Sequence, residues 1–294
     1  MNDPNSDDPL WTHFGPLYSD LQAAGSSNIL VAGGYGLFLK QKFLLANAEI
    51  PVVVPLDRWS NANPRVTQDI DFLIGLDRIA DEKSQRAFKS VFDKHEFSVS
   101  KINPRWQFDK EVSESKFVVV DLLAPCPSTD QLNLKANSCR VKSRKSLGEG
   151  GFHGRTNNEA GGADLQPFSF QANSMTILTP NPVTWSIMKL TAMNYHWSLS
   201  DNESKPEDKR ESSRKKAIKH AQDLCRVVAM VTRDESDALP AVLKFVRELP
   251  EFAKAKEILD TRLSQDERLA AQIAAGWSPE DLKIIRTTLS RWFR

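Results

Sequence analysis

The chain has 294 residues, 40% hydrophobic and 26% charged, an ordinary globular mix long enough for one large domain or two smaller ones with a buried core. Its 39 Lys plus Arg against 38 Asp plus Glu give a formal charge of +1, which excludes a global pull toward nucleic acid or membrane. Three cysteines, Cys126, Cys139 and Cys225, form no CxxC pair and no disulfide framework, and no run of 18 apolar residues occurs. The expectation is a cytoplasmic protein with no membrane contact.

In chain order, residues 1–9 read as an acidic, turn-rich, disordered lead, and Trp11 to Ala24 as an amphipathic helix ending at Gly25. Asn28 to Ala32 reads as a short buried strand, Gly33-Gly34 as a tight turn, and Tyr35 to Ala46 as a helix with Leu37, Leu39, Phe43 and Leu44 on its apolar side. Pro51 and Pro55 make residues 50–64 a loop. It leads into Arg65-Val-Thr-Gln-Asp-Ile-Asp-Phe-Leu-Ile74, a strand pattern.

Asp81 to His95 has helical spacing, Phe97 to Ile102 reads as a strand, and Lys116 to Ala124 is the strongest β signal, with Asp121 near its end. Four basic residues crowd into 140–145, and the Gly- and Asn-rich stretch 148–162 reads as an irregular loop. After Pro180 and Pro182, Val183 to Trp197 is helical in pattern, the charged segment 198–214 reads as mobile, and 215–294 as helices broken at Pro240, Pro250 and Gly276. Ser278-Pro-Glu-Asp281 has capping-box form. The fold class is α+β: residues 10–178 form a mixed sheet flanked by helices, and residues 179–294 a helical domain.

Asp69 and Asp71, two apart on a strand, project from one face and need a counter-charge, which a hard divalent ion with oxygen ligands supplies. Asp121, on another strand, is a third acid for a second ion. Gly33 and Gly34 let backbone approach a phosphate, with the following helix aiming free N–H groups at it. Three carboxylates and a glycine turn are the parts that phosphoryl or nucleotidyl transfer requires.

Gly33-Gly34, Asp69-Ile-Asp71 and Asp121 resemble the nucleotidyltransferase fold of the DNA polymerase β type: a glycine pair at a helix start, Asp-x-Asp, then a strand Asp. Val31-Ala-Gly-Gly-Tyr-Gly with Arg65-Val-Thr-Gln-Asp-Ile-Asp is similar, more narrowly, to nucleotidyltransferase toxins of the AbiEii/AbiGii abortive-infection type, in which a Thr precedes the first Asp by two, as Thr67 does. Met188-Lys189-Leu-Thr-Ala192 matches a further element of that group. Lys219-His-Ala-Gln-Asp223 matches another except that His220 replaces an Asp. The resemblance spans residues 28–226 at motif level.

It implies a Mg²⁺-dependent enzyme, with two ions and Mn²⁺ as a substitute, that moves NMP from an NTP to a hydroxyl and releases pyrophosphate. Asp69, Asp71 and Asp121 would bind metal and act catalytically. Gly33, Gly34, Thr67 and Lys189 would hold the nucleotide, with Asp223 orienting Lys189 and Lys219 a weaker contact. The acceptor would be a tRNA 3′ end or a protein side chain, and the role a growth-arresting toxin in phage defence restrained by an antitoxin. An antibiotic-modifying nucleotidyltransferase and a non-catalytic nucleotide-binding protein are the alternatives.

Plainer readings stand beside these. Asp69 and Asp71 also suit an edge strand with a solvated face, Lys189 a lysine snorkelling from a helix, and Arg214, Lys215, Lys216 and Lys219 a solvated helix face. Residues 148–162 lack P-loop spacing, the five histidines lack zinc spacing, and Trp185, Trp197 and Trp277 suit core positions.

Overall fold

The computed structural model describes residues 8–25, 29–59, 67, 69–75, 82–103, 106–114, 116–125, 136–137, 140–141 and 155–294. These residues divide into two compact units. The first takes its members from 1–40, 65–158 and 169–179; the second takes 41–64, 159–168 and 180–294. The second unit thus gathers two stretches that the sequence reading assigns to the N-terminal part. Among the described residues no helix is long and apolar enough to cross a membrane.

The first unit is a mixed sheet with helices. Its helices are α1 (Trp11–Ala23), the start of α2 (Gly33–Ala46) and α3 (Glu82–Lys94). Its main strands are β1 (Leu30–Ala32), β2 (Asp69–Leu73), β3 (Ser98–Val99), β4 (Gln107–Ser113) and β5 (Lys116–Pro125). A small β6 (Ala136–Asn137) and β7 (Arg140–Val141) pair with each other. With β8 (Arg155–Asn157), β9 (Phe168–Ala172) and β10 (Met175–Thr179), the sheet runs β3-β4-β5-β2-β1-β10-β9, and β8 pairs β5 beyond the end of β4.

Alternation sets the faces. Along β5, Val118, Val120, Leu122 and Ala124 are buried while Val119, Asp121 and Leu123 between them are half-buried. Along β2, Ile70 and Phe72 are fully buried and Asp69 and Asp71 half-buried. Phe72 packs on Phe14 and Tyr18 of α1, at ring-centroid distances of 6.1 and 6.0 Å, so an aromatic cluster fixes which way β2 faces. The Tyr18 hydroxyl donates to Ile29 O just before β1 (2.9 Å). Burial holds that phenol up at a pKa of about 12.

Of the lead expected over 1–9, residues 1–7 lie outside the described residues. Asp8 is buried, its carboxylate accepting from the Tyr35 hydroxyl at 2.9 Å. The basic side chains at 140–145 and residues 148–154 of the loop expected over 148–162 likewise lie outside them, and the described remainder of that loop holds a short strand, Arg155–Asn157, and a 3-10 turn, Asn158–Ala160.

The second unit is helical: α4 (Pro182–Ser200), α5 (Glu207–Ala229), α6 (Arg233–Val246), α7 (Pro250–Ile258), a π turn (Leu259–Leu263), α8 (Glu267–Ala274) and α9 (Pro279–Trp292). Trp185, Trp197 and Trp277 are core residues, at 1%, 2% and 7% exposure. Asn181 caps α4 through Thr184 N (2.9 Å), and its amide donates to Gly162 O and Leu165 O. Residues 41–64 enter through backbone pairing: Val53 N and Val54 N donate to Val231 O and Ala229 O, each at 3.0 Å.

The structure departs from two expectations in this unit. The segment 198–214, read as mobile, is largely helix: α4 continues to Ser200 and α5 begins at Glu207, with Glu207 and Asp208 in its first turn where the helix dipole favours acids. Pro240 does not break the chain but lies inside α6, which the Thr232/Glu235 capping box starts and the buried Leu239, Val242 and Val246 anchor. That burial outweighs the one backbone hydrogen bond a proline removes.

Candidate active site

Register places the acids. In the parallel pair of β2 and β5, Asp71 stands opposite Asp121 and Asp69 opposite Val119. In β1 and β2, Ala32 stands opposite Asp71; in β4 and β5, Gln107 stands opposite Asp121. Ala32, Asp71, Asp121 and Gln107 therefore form one row across four neighbouring strands about 4.8 Å apart. Asp69, two residues from Asp71, shares its face. Because β2 has neighbours on both sides, the edge-strand reading of Asp69 and Asp71 is excluded.

Each neighbour in this row touches its acid in a definite way. Gly33, immediately after Ala32, has φ +62°, and a Cβ built on it would lie 1.6 Å from Asp71 Oδ2. The Asp71 carboxylate thus occupies the volume a side chain at Gly33 would need, at the N-terminus of α2. The helix begins at Gly33 rather than Tyr35, with Gly34 its second residue.

The Gln107 amide donates to Asp121 Oδ1 at 2.8 Å. The Thr67 hydroxyl, buried at 7% exposure, donates to Asp69 Oδ1. Each bond helps to fix the rotamer of its acid on the sheet face. The Thr67 bond lies at a position the sequence reading singles out, whereas Gln107 was not legible there, since its meaning arises only from pairing across β4 and β5.

All the oxygen donors in this row are hard ligands, carboxylates with a hydroxyl and an amide behind them, a set whose chemistry fits Mg²⁺ or Mn²⁺ rather than a soft metal. Among the described residues no three His, Cys, Asp or Glu side chains are grouped closely enough to make a metal cluster. The acids share a face and a row without converging on one point.

Lys189 and Asp223 belong to the second unit. Lys189 Nζ on α4 donates to Asp223 Oδ2 on α5 at 2.8 Å, and the two side chains are 7% and 2% exposed. Lys189 is therefore buried and paired rather than snorkelling. Lys219, one α5 turn earlier, is half-buried.

His220, the departure from the resembled motif, stacks on His196 of α4 with ring centroids 5.6 Å apart and planes within 5°. Burial first, and then the Lys189 charge, pull its pKa down to about 3, so this imidazole is neutral at physiological pH. Burial and Lys216 lower His196 as well. The Nδ1 atoms of both rings are buried without a hydrogen-bond partner. His196 follows Lys189 by seven residues, two helical turns, and so shares its face of α4; nothing in the sequence pairs it with His220.

Comparison with protein-family models, curated proteins and solved structures gave no significant match.

Proposed function

We propose that the chain is a divalent-metal-dependent nucleotidyltransferase that moves a nucleoside monophosphate from an NTP to an acceptor hydroxyl and releases pyrophosphate. The observation that carries this reading is the row in which Asp71 faces Asp121 on neighbouring interior strands, with Asp69 on the same face and Gly33 cut away to admit the Asp71 carboxylate. Ionisable groups inside a sheet are costly without a purpose. Three of them on one face, each with a polar or steric partner, are difficult to assign to packing.

In this reading Asp69 and Asp71 would hold one ion and Asp121 would hold a second. Such ions, when bound, neutralise charge on the α-phosphoryl oxygens and the leaving pyrophosphate. Asp121 accepts the acceptor hydroxyl's proton as its oxygen bonds to the α-phosphorus and the bond to pyrophosphate breaks. Gln107 keeps Asp121 turned toward that hydroxyl, Thr67 does the same for Asp69, and Gly34 with the α2 N–H groups receives phosphate oxygens. Lys189, Lys219 and Asp223 are proposed as triphosphate contacts and their support. We assign the acceptor to an RNA 3′ end, with tRNA first, or a protein hydroxyl, and the role to a growth-arresting toxin paired with an antitoxin.

The test incubates the purified chain with Mg²⁺, each α-labelled NTP, total tRNA and a protein lysate. Label should pass from at least one NTP into RNA or protein, and Asp71→Asn should lower the rate on the order of 10³-fold. Undiminished transfer by Asp71→Asn, or none by the parent chain with any NTP, would remove the proposal.

A further inference from the structure

The second unit carries a groove of about 750 Å³ between α8 and α9. Its floor is alkyl and aromatic: Ala270, Ala271 and Ala274 from α8, then Trp277 and Leu282. Its rim is cationic, with Lys283, Arg286 and Arg294 lining it and no acid among the lining residues. All three cations are exposed, and none has an ion-pair partner among the described residues. Lys283, Arg286, Thr287 and Ser290 recur at i, i+3, i+4 and i+7, so one edge of α9 presents positive charge and hydroxyls over two turns, roughly 10 Å.

The groove is held open by its surroundings rather than by an occupant. Trp277 packs on Trp59 at 4.8 Å between centroids, which turns its ring into a fixed wall. Arg58 pairs with the buried Asp281 at 2.6 Å, and Ser278 Oγ accepts from Asp281 N at 3.1 Å, pinning the start of α9. Asp266 caps α8 through Leu269 N and accepts from the Trp197 indole at 2.7 Å. Both walls are anchored, so a partner would meet a preformed surface.

We propose that this groove docks an amphipathic helix of a partner protein that carries carboxylates along one edge. Alanines on the floor let a helix backbone approach closely, and the apolar stripe of that helix would cover the exposed methyl groups of Ala271 and Ala274. Its acidic edge would meet Lys283, Arg286 and Arg294. A nucleic-acid strand fits less well: phosphates would find the cations but lie over methyl groups, and Trp277, 7% exposed against Trp59, offers no face for base stacking. This inference does not depend on the transfer reaction.

The test uses the full chain with three labelled probes in fluorescence anisotropy. They are an 18-residue helix with a Leu/Ala stripe and Glu along one edge, the same peptide with Lys for Glu, and an 18-nucleotide single-stranded RNA. The Glu-edged peptide should bind at least tenfold more tightly than the Lys-edged one. The triple reversal Lys283→Glu, Arg286→Glu, Arg294→Glu should invert that preference while leaving the circular dichroism spectrum unchanged. Ala274→Trp, filling the exposed floor, should weaken both peptides at least tenfold. No preference between the peptides, or a preference that survives the reversal, overturns the proposal. RNA binding that the reversal alone abolishes reassigns the groove to nucleic acid, and a concentration-dependent dimer in sedimentation that Ala274→Trp removes reassigns it to a second copy.

Discussion

At the scale of single residues, Gly33 separates two reasons for a glycine. Its φ of +62° alone would strain any other residue by about 1–2 kcal/mol. Gly25 has the same kind of strain, φ +93°, but open space around its missing Cβ. Gly25→Ala should therefore cost only the backbone term, whereas Gly33→Ala must also push the Asp71 carboxylate aside. Urea midpoints should fall further for Gly33→Ala, and the proposed nucleotidyl transfer should be lost in that variant alone. Equal midpoints and equal activity would mean that Asp71 moves away without consequence.

The glycine at the strand-to-helix junction and the Asp pair are legible because they depend on two local rules, backbone freedom and the two-residue period of a strand, although the tight turn expected at Gly33-Gly34 is instead the first turn of α2. Gln107 was not legible. Gln107-Phe-Asp-Lys-Glu-Val-Ser113 is a polar stretch whose strand state comes from pairing with β5, and only that register brings its amide to Asp121.

At the scale of elements, the contact between α4 and α5 is organised by charge inside an apolar interface. The Lys189–Asp223 pair replaces water around both ions with one another, so removing one partner strands the other. Lys189→Met should destabilise by roughly 3–5 kcal/mol, and Lys189→Met with Asp223→Leu should restore most of that loss. A double-mutant cycle by chemical denaturation measures both. If Lys189 also binds triphosphate, the restored double variant keeps its stability and still shows a raised KM for NTP; an unchanged KM would confine Lys189 to packing.

The stacked histidines of the same interface give it a pH dependence. His220 stays neutral in the fold down to about pH 3, while in the unfolded chain it takes a proton near 6.5. Between those values the unfolded state binds more protons, so this contribution is complete above 6.5 and is lost as pH falls toward 3, by at most about 1.4 kcal/mol per unit. His220→Phe, which keeps a ring on His196, should flatten the stability profile between pH 6.5 and 4; an unaltered slope would place the proton elsewhere.

The helical state of 207–214 was hidden from the sequence for a related reason. Its residues are nearly all charged, and their helix is the extension of one whose later turns, Ala217, Ala221 and Leu224, are buried.

At the scale of the whole molecule, each unit is assembled from separated stretches of chain, so linear order is a poor guide to where the protein can be cut. Residues 50–64 read as a loop because Pro51 and Pro55 interrupt them, yet this stretch contributes backbone hydrogen bonds to Ala229 and Val231, a β-bridge from Val52 to Thr232, the Trp59 wall of Trp277 and the Arg58 partner of buried Asp281. Residues 159–168 supply the carbonyls that hold Asn181, the cap of α4.

A fragment beginning at Pro180 would lose all of these. It would expose Trp277, strip Asp281 of Arg58 and unfasten the first turn of α4, each a loss on the order of 1 kcal/mol or more. Since whole domains are stable by only about 5–15 kcal/mol, fragment 180–294 should show helical circular dichroism but a broad, early thermal transition. Adding a synthetic 41–64 peptide should sharpen and raise that transition, with Arg58→Ala in the peptide removing most of the gain. A fragment 180–294 that melts as sharply as the intact chain would show that the helices suffice without the inserted segments.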